Sequence, residues 1–405
     1  MRGMAIATGP ALEDSLEAHG FHGVRLHASF SNICALIPRA QEIARLGPEQ
    51  QVSGQPWRYL DRSLTRDGRI VGWSLNSLYR EGSYGKIYKA WRMVAMRRVT
   101  DGLCDVAENP TEVIIKQTQP SGGSTLLQPA EINAHIAEAL LHVLAWRAVQ
   151  RVGLPWAVPR PYELFGDASG SGWRSMGLCM GWVRGRTLQS YAEKHWAPGG
   201  SVAVGVAFLE IIAQVAYILC ILQRSLRLNH RDLKVNNLMI RARRDGPVTL
   251  ELGSTRMTTG YELTVIDFGF ACVGCSPPRP PLTFFQAGSW FPVGDLCCKP
   301  GRDLAQLIYC IHCFFPLEEY LPAVLVMAVR RWMVVRLRTG ELVDLLGGFG
   351  EDGEPLRLRA GATPAYNKGI YEFLRRNDAE PVACEPLALF RECCRLKGEL
   401  LGQTV

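Results

Sequence analysis

The stretch from Val202 to Leu222, VAVGVAFLEIIAQVAYILCIL, constrains the fold most, because it is long and apolar enough to cross a bilayer. Glu210 and Gln214 fall near its middle. A carboxylate at the centre of a membrane helix costs on the order of 3 kcal/mol on insertion scales. The run also leads straight into LNHRDLKVNN, Leu228 to Asn237, whose polar groups suit chemistry better than a membrane flank. A buried core helix is therefore expected, with no membrane partner. Such a helix would hold the polar stretch firmly against the core.

The remaining composition agrees with a soluble globular protein of one large or two medium domains: 405 residues, 47% hydrophobic and 20% charged, without low-complexity runs. A net charge of +7 is spread along the chain. No nucleic-acid partner is indicated, although a mildly basic surface favours acidic or phosphorylated ones. Thirteen cysteines are an odd number for a disulfide framework, and the opening MRGMAIATGPALEDSLEAHG lacks a secretory pattern. Mostly reduced cysteines and an intracellular, cytoplasmic or nuclear, setting are expected.

Residues 1–68 carry no interpretable motif and are read as an extension. Strand patterns follow at Ile70–Tyr79, Lys86–Met93 and Thr111–Gln119, then a helix over Ala130–Val149 and strands at Tyr162–Phe165 and Met176–Val183. Beyond Thr187 helices are expected at Val202–Leu222, Asp303–Phe315, Pro322–Leu337 and Asn367–Arg376. Strands first and helices later imply an α+β protein with unequal lobes, divided as 69–183 and 184–405.

HRDLKVNN, followed by VIDFGF from Val265 to Phe270, resembles the catalytic and metal-binding segments of eukaryotic-type protein kinases of the Ser/Thr branch. LYREGSYGKIYKA and VIIK, in the family's order, resemble its Gly-rich hairpin and its nucleotide-binding lysine strand. The resemblance covers about residue 70 to at least 320. It implies a bilobal fold with a small β-rich N-lobe and a helical C-lobe, ATP and Mg²⁺ as cofactors, and a protein substrate with a Ser or Thr acceptor. Asp232 would orient the acceptor hydroxyl, Lys234 would reach the transferred phosphate, and Asn237 and Asp267 would hold metal. Lys116 would contact the α/β-phosphates and pair with Glu138, or with Glu131, since the helix register is open. Gly82, Gly85 and Ile87 would cover the nucleotide. Ile114, Met180, Gly181, Val183 and Met239 would surround adenine, and Asp303 would bind backbone N–H groups of the HRD stretch.

The departures are also informative. Arg80 stands in the first glycine place, Ile114 where alanine is common, and no A-P-E follows DFG. Insertions lie between Met93 and Thr111 and between Asn237 and Asp267, the second reading as a long hairpin; both are tolerable as surface loops. A reduced segment after DFG is similar to that of divergent members, including those of large DNA viruses, for which the setting would be the host cell. Arg231 suggests that a phosphorylated side chain after DFG would order that segment, with Ser276, Thr283 and Ser289 as the candidates. Cys272, Cys275, Cys297 and Cys298 could hold zinc, but adjacent cysteines make awkward ligands, and reduced thiols are the expectation. A silent kinase-like scaffold is the alternative, although Lys116, Asp232 and Asp267 are all retained. A small-molecule kinase ranks lower, because such enzymes usually lack the lysine of DLK.

Overall fold

Long runs mixing β-branched, aromatic and small residues build a six-stranded antiparallel sheet. The computed structural model describes residues 57–60, 69–82, 85–97, 104–120, 122–169, 172–273, 282–283, 298–337, 339–347, 370, 373 and 381–402. The protein is α+β. Two compact units divide it, one comprising the chain to Val143 and Pro159–Val183, the other Leu144–Val158 and the chain from Arg184.

In the first unit, strands β1 (Trp57–Leu60), β2 (Arg69–Gly82), β3 (Gly85–Arg97) and β4 (Cys104–Thr118) precede helix α1 (Pro129–Arg151), whose end from Leu144 belongs to the second unit, and β5 (Pro161–Ser169) and β6 (Gly172–Gly181) follow it. The sheet order is β1-β2-β3-β4-β6-β5. The stretch expected to be an extension thus supplies an edge strand, Trp57 pairing opposite Ser74. The insertion after Met93 is not simply a loop: β3 continues through it to Arg97, which pairs with Cys104.

The second unit contains β7 (Arg186–Thr187), α2 (Leu188–His195), α3 (Val202–Leu226), β8 (Leu228–Asn229), β9 (Leu238–Ala242), β10 (Val248–Leu252), β11 (Thr255–Thr259) and β12 (Tyr261–Val265). After these come β13 (Cys272–Val273), β14 (Leu282–Thr283), α4 (Arg302–Phe314), α5 (Leu317–Tyr320), α6 (Ala323–Trp332), β15 (Val334–Arg336), β16 (Leu342–Asp344) and α7 (Pro386–Leu400). The expected helix over Pro322–Leu337 is shorter: α6 stops at Trp332 and β15 turns back on β16, Val335 opposite Val343. Consecutive β-branched residues, Val334 and Val335, favour the pleated arrangement once a partner strand is at hand. The expected Asn367–Arg376 helix lies outside the described residues except for Ile370 and Phe373, both helical and buried.

Helix α3 is the core of this unit. Its N-cap Ser201 accepts from the Val204 N–H, and Arg227 in the left-handed region ends it by donating its N–H to the Gln223 carbonyl. In its most apolar window 89% is buried inside the protein. The two polar residues within it meet partners: Glu210 takes an ion pair from Lys397 of α7 at 2.6 Å and a hydrogen bond from the Thr259 hydroxyl at 3.0 Å, and Gln214 donates to Thr259 Oγ1 at 2.9 Å. Lys397 also donates to the Thr258 carbonyl at 2.6 Å. The β10–β11 hairpin, which arises from the second insertion, is thereby stitched to α3 and α7.

Removing one member of such a pair strands the other charge in a poorly solvated place. Lys397→Met should therefore cost roughly 3 kcal/mol in urea unfolding, and adding Glu210→Gln should restore part of the loss. Equal stability of the single and double variants would show that the pair carries no weight.

Candidate functional site

Chain reversal at Arg227 delivers Leu228 and Asn229 as a short buried strand, and the HRDLKVNN loop leaves from its end. Asp303, in the first turn of α4 and without solvent exposure, fixes that loop. Its Oδ2 accepts from the His230 N–H at 2.8 Å, and its Oδ1 from the Arg231 N–H at 2.9 Å. His230 Nδ1 faces the Asp232 N–H at 3.4 Å, so Nε2 carries the ring proton and donates to the Ile266 carbonyl at 3.0 Å. The imidazole also packs on Phe268, with ring centroids 5.1 Å apart. Beneath the loop, the Val235 N–H points at Cys310 Sγ, 3.5 Å away.

The carboxylate of Asp232 gathers the loop's polar groups. Lys234 Nζ lies 2.7 Å from Oδ2, and Asn237 Nδ2 donates to the same oxygen at 2.9 Å and to the Asp232 carbonyl at 2.9 Å. The group keeps 16% exposure, so a solute can approach it. Pairing of β9 with β12, Leu238 opposite Val265, continues as the Ile266 N–H bonds the Asn237 carbonyl at 3.0 Å. Asn237 and Asp267 therefore belong to one end of this hairpin. Among the described residues, the non-glycine positions with left-handed φ are Arg227, Arg231 (66°) and Asp267 (68°). Two of the three sit in the candidate motifs, where backbone strain tends to concentrate. Met239 is half-buried on β9, opposite Thr264 and Thr187.

In the first unit, Lys116 on β4 pairs with Glu138 of α1, Nζ to Oε1 2.6 Å. Glu131 does different work: its carboxylate accepts from the Gln128 N–H at 2.7 Å and caps the helix. One helical turn before Glu138, His135 bonds Thr118 through Nδ1 at 2.8 Å. Lys116 and Thr118 share a strand face, and His135 and Glu138 a helix face, so the two contacts hold α1 in register on the sheet. Burial, helped by the Lys116 charge, pushes the His135 imidazole down to about 3.

Ile87 pairs directly opposite Lys116, and Gly82 opposite Gly85. Gly85 is irreplaceable on geometric grounds, since its φ is 139° and a Cβ would sit 2.0 Å from the Gln117 carbonyl oxygen. Ile114 packs against Ala139, Leu178 and Met180. Gly181 donates its N–H to the Arg160 carbonyl at 2.8 Å, and Val183 is half-buried two residues on.

Of the cysteines weighed for zinc, Cys272 is disulfide-bonded, Cys298 keeps its thiol outside any disulfide, and Cys275 and Cys297 lie outside the described residues. Among the candidate phosphorylation sites, Thr283 lies in β14, while Ser276 and Ser289 are outside the described residues. Sequence reading did not single out His135 or Asn229, although both stand in stretches it singled out. The only signal was a polar residue at a position that periodicity makes buried. The chain matches no protein-family model and no curated protein.

A buried imidazole that resists protonation makes the fold acid-sensitive. In the unfolded chain it binds a proton below about 6.5, whereas the folded protein refuses it until about 3. Stability should be unaffected by this group above pH 6.5 and fall by up to about 1.4 kcal/mol per unit as pH drops below it. His135→Gln should flatten that slope in urea titrations run from pH 7 to 5, and parallel slopes would contradict the assignment.

Proposed function

We propose that the protein is a Mg·ATP-dependent Ser/Thr protein kinase with the two-lobed fold of that superfamily. The observation that carries this reading is the arrangement around Asp232: a partly exposed carboxylate with a lysine and an asparagine amide on one oxygen, on a loop whose backbone is pinned by a buried aspartate. Oδ2 is committed to Lys234 and Asn237, so Oδ1 is the oxygen that would take the proton of a Ser or Thr hydroxyl. As that hydroxyl oxygen bonds to the γ-phosphorus, the bond to the bridging oxygen of ADP breaks. Lys234 stands next to the carboxylate and would offset negative charge on the transferred group.

The Lys116–Glu138 pair supports the same reading. Glu138 orients the Lys116 ammonium, whose N–H donors suit α/β-phosphate oxygens. The Asp267 carboxylate and the Asn237 amide oxygen are hard donors of the sort magnesium prefers, and Asn237 uses only its Nδ2 on Asp232. Bound there, Mg²⁺ would neutralise phosphate charge. Ile87, Ile114, Met180, Gly181, Val183 and Met239 are assigned to the nucleotide, with Gly82 and Gly85 allowing backbone approach.

A nucleotide-binding scaffold without transfer is the second reading. Ile114, packed on Met180, favours it, because the extra methylenes would narrow the space for adenine. Transfer of labelled γ-phosphate to a protein panel separates the two. Wild type should form phosphoserine or phosphothreonine, and Asp232→Asn should lower turnover about 10²–10⁴-fold while ATP still binds. Lys116→Met should weaken both. Full activity in Asp232→Asn would remove the assignment, and a silent wild type that binds ATP would favour the scaffold.

A further inference from the structure

The strand Leu228–Asn229 is a hub. On its backbone it pairs with β13, Asn229 opposite Cys272 and Leu228 opposite Val273. It also receives the chain where that chain comes back: Cys298 Sγ points at the Leu228 carbonyl 4.0 Å away, and Asn229 clamps Lys299. The clamp has two arms, since Asn229 Oδ1 accepts the Lys299 N–H at 2.7 Å and Nδ2 donates to the Lys299 carbonyl at 3.1 Å. Nδ2 also donates to Asp303 Oδ2 at 3.1 Å, the oxygen that receives the His230 N–H. Both ends of the segment that follows Asp267 are therefore fastened to the same short strand, three residues before Asp232.

The chemistry of the clamp requires an amide. A fully buried position that must accept from one backbone group and donate to another, beside a carboxylate, is satisfied by asparagine alone among residues of this size. Aspartate would bring a second buried charge against Asp303, and leucine would remove both bonds that Asn229 makes to Lys299. Gly301 allows the turn from Lys299 into α4: its φ is 77° and a Cβ would lie 2.3 Å from the Pro381 carbonyl oxygen.

We propose that Asn229 is a positioning residue: by clamping Lys299 and sharing Asp303 it ties the chain entering α4 to β8 and so fixes the loop that carries Asp232. The catalytic part rests on the phosphotransfer reading, and the clamp itself does not. Asn229→Leu, with Asn229→Ala as a second variant should the first fail to fold, tests both, without reductant so that the Cys272 disulfide is kept. Hydrogen exchange of the Lys299 amide should quicken about tenfold or more while α3 amides keep their rates. Turnover should fall about tenfold or more, with the KM for ATP within about twofold of wild type. Unchanged Lys299 exchange, or acceleration spread equally over α3, would overturn the clamp. An opened clamp with unchanged turnover would overturn the positioning role. A wild type that transfers no phosphate would defeat the phosphotransfer reading and with it the positioning role, while the exchange arm still decides the clamp.

Discussion

The carboxylate of Asp303 has no contact with water, and a buried charge of that kind is tolerated only when donors surround it. Three N–H groups do so here: the backbone of His230, the backbone of Arg231 and the amide of Asn229. Two of these come from a loop that otherwise has few regular hydrogen bonds, and Arg231 accepts a left-handed φ in the bargain. The strain and the charge are complementary. Neither would persist alone, and together they set one conformation for the residues leading to Asp232.

The apolar helix α3 solves a related problem. Its length would suit a bilayer, yet Glu210 and Gln214 near its middle are answered by Thr259 and Lys397, which lie far along the chain. A core helix that carries Glu210 gains little over one without it, because desolvating the charge offsets the attraction to Lys397. What the group does make is a set of specific contacts, through which the inserted β10–β11 hairpin and α7 are both tied to α3.

The legibility of the sequence follows from range. Elements fixed by local pattern were readable, since β2, β3, α1 and α3 each contain the run that periodicity marks. Asp232, Lys234 and Asp267 could be named because HRDLKVNN and VIDFGF resemble the motifs of a known family, and their chemistry agrees with the roles that resemblance implies. What escaped depends on partners distant in sequence. The end of α6 at Trp332 is decided by a strand that arrives at Leu342, and helical periodicity alone runs past it. Glu138 is the preferred partner of Lys116 on sequence and Glu131 the alternative, and only the contacts with Lys116 and Gln128 separate the two. Asn229 reads as an ordinary polar residue beside a motif, because its partners are 70 and 74 positions away.

His135 and Asn229, in separate units, share one chemical character. Each is a neutral, buried, polar side chain placed next to a charged group whose geometry matters, Lys116 in one case and Asp303 in the other. A charged residue at either place would compete with the ion it neighbours, and an apolar one would release a hydroxyl or backbone partner. Neutral polarity is the narrow condition that supports a charged group without altering its charge. Residues of this kind leave little trace in composition or periodicity, which is why structure finds them and motif reading passes over them.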